Sequence, residues 1–384
     1  MHVRSMLENL DATGKYKYIF YTYDSSDPIQ TLGINLPVDY TLVQTKTLKK
    51  SIDRPQDFMQ LAKVIFHKFS PLRGDDIDVF VQFDFMLGLP RLTNVKQTIL
   101  VAYDLIPLIF REEYIPTPKQ AFVAASGVLQ KLKKTLRALY YHERYRLHYK
   151  NFVKADLLLS ISKNTTGSLT EILSIPKEKI VTIPLAPVFN TANATRPAGF
   201  TVGLPFIFYI GATDARKRVA DLIKAFDQVR ATHSITLILA GKEFAKRNKI
   251  PNEEIAHALR TSPYQSDIIT LGYVNDAEKL WLYENAKAFV FPTTYEGFGL
   301  PIVEAMQHGC PVVSYDNSSI PEVADDAVLL VPTGDVAQLV KGIAKVLDST
   351  ALRYRMVARG YALSEQYTWD KYMRKFYSAL EAKE

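Results

Sequence analysis

A chain of 384 residues exceeds one ordinary hydrophobic core and predicts two domains. With 47% apolar and 23% charged residues it reads as soluble and globular, which excludes a disordered chain. No apolar run approaches the roughly 18 residues of a membrane span, and the net charge of +7 suits an anionic partner: a nucleotide, an anionic lipid surface or nucleic acid.

The chain opens on a helical face of Val3, Met6, Leu7 and Leu10, where a doubly wound domain would open with a strand and a tight turn. Strands are predicted in "KYKYIFYTY", "YTLVQTK", "DIDVFVQFDF", "QTILVAYD", "ADLLLSIS" and "KIVTIPLA". Among them lies a basic amphipathic helix, residues 131–154. Its apolar face is predicted at Leu132, Leu136, Leu139, Tyr140 and Leu147, with lysines and arginines around the remainder. Such a helix suits either an anionic membrane or a core with one solvated basic side.

Residues 189–204, rich in Pro, Gly, Asn and Thr, predict a linker. Beyond it, strands are expected at "FIFYIG", "ITLILAG", "DIITLGYV", "AFVFPT", "PVVSYD" and "AVLLVP". Helices are expected at "RVADLIKAFDQV", "DAEKLWLYENA", "PIVEAMQHG" and "DVAQLVKGIAKVLD". Asn275 with Glu278, and Asp335 with Gln338, have the spacing of helix N-terminal caps. The alternation predicts an α/β chain of two doubly wound, Rossmann-like domains, residues 1–188 and 205–363. A final amphipathic segment, 364–384, is expected to cross back to the first domain. The lone Cys310 forms no internal disulfide and is expected as a small buried residue. With no secretory pattern at the N-terminus, the cytoplasm is the simplest setting.

Two stretches carry chemistry. In "TTYEGFGLPIVEAMQHG", residues 293–309, Glu296 and Glu304 flank a glycine turn that leads from a strand into a helix. That is the edge where open α/β sheets bind ligands. Gly297 and Gly299 let main-chain amides approach a ligand, and the helix start suits phosphate. A glycosidase carboxylate pair fits less well, because both glutamates come from one loop and its helix. In "YIGATDARKRVADLIKAF", a strand ends at Gly211, and Arg216, Lys217 and Arg218 can neutralise a diphosphate. The turn after Gly272 offers main-chain groups at Tyr273 and Val274 to a nucleobase.

Together these stretches resemble family 4 of the GT-B glycosyltransferases, also called glycosyl transferases group 1. The likeness covers nearly all of the second domain. It extends more weakly to "VAYDLIPLIFREEY", "ADLLLSISKNTTGSLTEIL" and "YTWDKYMRKFYSAL". The resemblance implies a nucleotide diphosphate sugar as donor substrate, held mainly by the second domain, and a glycan or lipid-linked acceptor held by the first. Glu304 would bind the ribose hydroxyls, and Glu296 the donor sugar, beside Phe298, Gly299 and Leu300. Arg216 and Lys217 would face the diphosphate. Transfer would retain anomeric configuration without a metal, Glu296 acting as a positioning group. "ARKR" and "DLIPL" look most like mannosyltransferase-type relatives, so GDP-mannose is the first candidate donor.

Three departures stand out. Ala212 follows Gly211 where many members have Arg, Tyr103-Asp104 replaces a common His-Asp, and the expected opening strand is not seen, either because the domain lacks it or because the sequence begins downstream of the true start. They favour, as the alternative, a non-catalytic sugar-nucleotide-binding subunit; an epimerase or phosphorylase is a third reading. The resemblance suggests bacterial-type surface polysaccharide assembly, in the cytoplasm or on the inner face of its membrane, with no nucleic-acid partner.

Overall fold

The computed structural model describes residues 2–22, 34–44, 77–82, 95–115, 117–123, 127–188, 193–198 and 203–382. The chain divides into two compact units, Met1–Pro184 with Tyr372–Glu384, and Leu185–Lys371.

In the first unit a helix, His2–Glu8, precedes strands β1 (Tyr18–Thr22), β2 (Tyr40–Gln44), β3 (Ile77–Gln82), β4 (Val95–Ala102), β5 (Leu157–Ser160) and β6 (Ile180–Thr182). All the pairings are parallel. Among the described residues they make a two-stranded sheet, β1–β2, and a four-stranded sheet in the order β3-β4-β5-β6. The outer ends of several expected strands, and parts of the expected linker, lie outside the described residues. Leu100, Ala102, Leu158 and Leu169 form the core under Phe152 of the long helix Val128–Lys154.

That helix corrects part of the predicted face. Tyr140 is buried with Leu136 packed against it, whereas Leu132 and Leu139 are exposed, and Ala138, His148 and Phe152 are buried in their place. The His148 and Phe152 rings meet edge-on with centroids 4.4 Å apart.

The second unit is a single six-stranded parallel sheet: β7 (Phe206–Ile210), β8 (Thr236–Ala240), β9 (Ile268–Leu271), β10 (Ala288–Phe291), β11 (Val312–Asp316) and β12 (Leu329–Pro332). Its order is β12-β11-β10-β7-β8-β9, the doubly wound arrangement in which the chain reverses direction between the first and fourth strands of the unit. The residues of β8 and β10 are buried throughout, as expected of strands covered by helices on both faces.

Both expected N-terminal caps form. Asn275 and Glu278 make a reciprocal capping box, and Asp335 Oδ1 accepts the Gln338 amide at 3.0 Å. Two further helices, Glu253–Thr261 and Thr350–Ser364, were not among the expected elements. Gly360 weakens the helical pattern of the latter. A Cβ there would stand 3.3 Å from Met306, so the glycine permits close packing of two helices.

The described residues of the expected linker, 193–198 and 203–204, belong to the second unit, where Thr195 N donates to Ala277 O at 3.0 Å. The last helix, Trp369–Glu381, starts later than position 364, and from Tyr372 onward it groups with the first unit. There the Tyr377 hydroxyl accepts from Asp11 N at 2.6 Å, and its ring stacks on Tyr16.

Strand ends β7, β8 and β9 are laced by main-chain bonds, Gly211 N to Ala240 O at 3.1 Å and Gly241 N to Gly272 O at 3.0 Å. Gly241 has φ +146°, and a Cβ on it would lie 2.2 Å from the Gly211 carbonyl oxygen. Gly241→Ala should therefore lower stability by on the order of 3 kcal/mol, from overpacking and backbone strain together. A urea midpoint equal to that of the parent would contradict this.

Candidate functional site

The site is built where the sheet reverses direction. The chain leaving β7 and the chain leaving β10 diverge there, and neighbouring strand ends open a crevice that a ligand can fill. After β7, Tyr209 donates its hydroxyl to Ala212 O at 2.7 Å, so a side chain at Gly211 would collide with it. Thr213 is clasped through its amide and hydroxyl by Glu243 Oε2, at 2.7 and 2.5 Å. A single 3-10 turn, Ala215–Lys217, follows. Arg218 adopts a left-handed conformation, φ 50°, before the helix Val219–Arg230 begins.

The three basic residues of this loop diverge. Arg218 forms a two-pronged pair with Asp221, at 2.8 and 3.1 Å, and so serves the start of its own helix. Arg216 Nη1 reaches Glu296 Oε1 at 2.8 Å and Tyr295 O at 2.9 Å, while Lys217 Nζ reaches the same Oε1 at 2.6 Å. Thr293 adds a third donor, its hydroxyl 2.8 Å from that oxygen. Lys217 also lies 4.7 Å from the centre of the Phe291 ring. Lys217 and Glu296 are only 8% and 9% exposed, so this is a desolvated cluster and not a surface ion pair.

The arrangement leaves capacity on both partners. Glu296 takes all three side-chain donors on Oε1, and among the described residues Oε2 accepts no protein hydrogen bond. Among those residues Glu296 is likewise the sole hydrogen-bond acceptor of the Lys217 ammonium. Two cations share one carboxylate, with Asp214 standing 3.9 Å from Arg216. Burial pushes the Glu296 carboxyl up, but the charges of Lys217 and Arg216 together outweigh it and hold the group below its ordinary value. Burial likewise pulls the Lys217 ammonium down, against the charge of Glu296.

The Glu296 main chain is pinned from β11. Glu296 N donates to Ser318 Oγ at 2.9 Å, Ser319 Oγ donates to Glu296 O at 2.9 Å, and Asn317 Nδ2 donates to Thr293 O at 2.7 Å. Ser318 adopts φ 48°, a strained conformation for a serine, and the three contacts hold it there. The segment "DNSSI" was part of the resemblance but had no assigned role. Thr293 was missed as well; only its place beside the glutamate gave a signal.

Gly299 caps the helix Leu300–Gln307 in a left-handed conformation, φ 95°, which places Pro301 in the first turn. Glu304 lies one turn in and is buried. Its Oε1 accepts from Lys279 at 2.9 Å and its Oε2 from the Tyr283 hydroxyl at 3.1 Å. Burial raises the Glu304 carboxyl, and Lys279 opposes that only in part. Lys279 and Tyr283 escaped the sequence reading, although a lysine four residues before a tyrosine on a packed helix face calls for a buried acid.

Of the other expected residues, Val274 is buried and Tyr273 is 70% exposed, with Lys242 5.6 Å from its ring centre. Phe298 is buried edge-on against Tyr367, so its ring serves packing, and only its main chain is left to face a ligand. Gly297 lies in the loop between Glu296 and Phe298. Tyr103 and Asp104 follow β4 in the first unit, where Asp104 Oδ1 accepts the Ile106 amide at 2.9 Å and Tyr103 O receives the Thr165 hydroxyl at 3.4 Å. Cys310 is buried, and burial pushes its thiol up, which leaves it inert.

Residues 192–363 match the family described as glycosyl transferases group 1. The O-antigen chain mannosyltransferase B of Escherichia coli is 29% identical over 249 residues, 60% of this chain and 63% of that one. The serotype-specific mannosyltransferase WbdA of Escherichia coli is 25% identical over 71% of this chain and 32% of its own length. This chain thus spans less than two thirds of either relative. Among solved structures, sucrose-phosphate synthase of Thermosynechococcus elongatus superposes with a TM-score of 0.67 at 19% identity, covering 100% of this chain and 93% of that one. WaaG, titled a glycosyltransferase involved in lipopolysaccharide biosynthesis, gives 0.62 at 18% identity, with 99% and 93% covered. These structures share the GT-B fold class of this chain.

Proposed function

We propose that this chain, whose residues 192–363 form a glycosyl transferases group 1 domain, is a retaining hexosyltransferase that takes its sugar from a nucleoside diphosphate donor. The observation that carries the reading is the buried pair Lys217 and Glu296, joined by Arg216 at the reversal point of the sheet, in which Glu296 Oε2 accepts no protein hydrogen bond among the described residues. A diphosphate leaving group develops negative charge as the glycosidic bond to its oxygen breaks. Fixed cations in a desolvated site stabilise that charge without reorganising. Lys217 and Arg216 supply them and do the work of a metal ion. Glu296 Oε2, an acceptor beside them, receives a hydroxyl of the donor sugar and fixes the anomeric carbon relative to the leaving phosphate. Glu304 accepts from the ribose hydroxyls, and the turn at Tyr273 and Val274 holds the nucleobase.

Mannose carried on guanosine diphosphate is the first candidate, supported by the mannosyltransferase relatives. The acceptor is a growing glycan, free or lipid-linked, in surface polysaccharide assembly on the cytoplasmic side of a membrane.

The test is release of nucleoside diphosphate from a panel of guanosine, uridine and adenosine diphosphate sugars, run with and without a mannan or lipid-linked acceptor. Release from GDP-mannose that rises with acceptor is expected. Donor binding without release under every acceptor would favour the non-catalytic subunit, and absence of binding by any donor would overturn the reading of the cluster.

A further inference from the structure

Lys217 is followed by a residue with an unusual backbone. Arg218 has φ 50° and ψ 36°, a left-handed conformation that residues other than glycine rarely adopt. Contacts must hold it there, and those of Arg218 converge on one residue. Asp221 accepts its guanidinium on both carboxylate oxygens, at 2.8 and 3.1 Å, and the Asp221 amide donates back to Arg218 O at 3.0 Å. Asp221 is only 2% exposed, and from β11 the Tyr315 hydroxyl donates to its Oδ2 at 3.3 Å. A carboxylate that merely favoured a helix start could stand in water. This one is taken into the interior, which costs solvation and is sustained by its partners.

The residue on the other side of Lys217 is fixed as well. Arg216 O accepts the Thr294 amide at 2.8 Å, from the loop that follows β10. Lys217 N itself donates to Asp214 O at 2.9 Å. With residue 216 tied to that loop and residue 218 held left-handed, the direction in which the Lys217 side chain leaves the backbone is set. Its ammonium then meets Glu296 Oε1 at 2.6 Å. The end of β11 thus acts on both members of the buried pair. Tyr315 reaches Lys217 through Asp221 and Arg218, while Ser318 and Ser319 hold the main chain of Glu296.

We propose that Asp221, braced by Tyr315, is a positioning residue for the transfer reaction: by holding Arg218 left-handed it aims Lys217 at Glu296 and at the leaving diphosphate. The part played by the diphosphate rests on the transfer reading, whereas the aiming of Lys217 does not. Arg218 serves this hold and contacts no phosphate.

The experiment compares Asp221→Asn, Tyr315→Phe and the double variant of Asp221→Asn with Arg218→Gly. Asparagine keeps the shape of Asp221 but loses the charge that clasps the guanidinium, and glycine adopts the left-handed conformation with no partner. In Asp221→Asn, kcat for nucleoside diphosphate release should fall about ten- to a hundredfold, with a smaller change in donor KM. The double variant should regain most of that loss, which general damage at position 221 would not allow. Tyr315→Phe removes one hydroxyl from a buried ring and should lower kcat roughly threefold.

A second readout needs no turnover. Burial holds the Lys217 ammonium below its ordinary 10.5, with Glu296, Arg216 and Asp214 around it. Its titration can be followed by NMR in protein carrying isotope-labelled lysine, the signal being assigned by its loss in Lys217→Met. In Asp221→Asn it should titrate closer to 10.5, as Lys217 leaves its buried place, and it should shift back in the double variant. Parental kcat with an unshifted Lys217 in Asp221→Asn would overturn the proposal. So would a double variant less active than Asp221→Asn, since Arg218 would then face the phosphates itself. A parent without turnover whose Lys217 follows this pattern would remove the transfer reading and leave the aiming of Lys217 by Asp221 standing.

Discussion

Glu296→Gln should reduce nucleoside diphosphate release by about a hundredfold or more while the protein remains folded. Glutamine keeps one oxygen, which can occupy the Oε1 position and accept from Arg216, Lys217 and Thr293 as the carboxylate does. Its amide nitrogen then takes the place of Oε2, turning the one open acceptor into a donor. The negative charge is also lost, so the two cations repel with nothing between them. Donor affinity should change less than the rate, because the diphosphate supplies the missing anion once it is bound.

Glu296→Ala separates structure from chemistry. It leaves the buried Lys217 without its carboxylate and Arg216 with the distant Asp214, and should cost about 3–5 kcal/mol of stability. The pH dependence has a definite sign. The folded-state carboxyl is held below its ordinary value of 4.5, so its contribution to stability is complete above that value and is lost as pH falls through the folded one. Denaturation of the parent and the Gln variant at pH 7 and at progressively lower pH checks this, because the Gln variant lacks that increment. A Gln variant with parental turnover would remove Glu296 from the reaction.

Most of the second unit was legible because its strands are short, β-branched and bounded by glycines, and its helices carry N-terminal caps. The switch point follows from strand order alone, since the first and fourth strands must be neighbours in a doubly wound sheet. That juxtaposition explains why residues 216 and 296, eighty positions apart, meet at 2.8 Å. Less legible was which way side chains point. Nothing in "ARKRV" distinguishes Arg218, tied to Asp221, from Lys217, turned inward; the difference comes from the left-handed residue at 218.

The supports of both glutamates were equally hidden. Ser318, Ser319 and Lys279 act across strands, at separations no local pattern encodes. In the first unit the long basic helix was found, and of its expected apolar face Tyr140 is buried with Leu136 against it, while Leu132 and Leu139 are exposed. Hydrophobic periodicity cannot place the edge of such a face to within one residue on a helix this long.

Lys217→Met should lower the rate of release by about 10²–10³, the usual cost of removing one fixed group that stabilises developing charge. Methionine is close to the lysine stem in length and can keep the contact with Phe291, so the loss reports the charge and not the packing. It also leaves Arg216 paired with Glu296, so the site does not hold an unpaired acid. Lys217→Arg should not rescue, since a planar fork cannot replace a compact ammonium in a site this closed.

A second readout distinguishes a reacting role from a merely structural one. Burial lowers the Lys217 ammonium below its ordinary 10.5, so it loses its proton at a lower pH than an exposed lysine would. Activity that needs the charged form must fall as pH rises through the folded value. Stability moves the other way in that interval, because the unfolded chain binds the proton that the folded chain has released, and folding is favoured as pH rises toward 10.5. The parent should therefore lose turnover while gaining resistance to urea over the same alkaline range, and Lys217→Met should show neither change. If the alkaline fall in turnover survives in the Met variant, another group titrates there. The charge facing the leaving phosphate is then carried by Arg216 alone, which keeps its proton throughout that range.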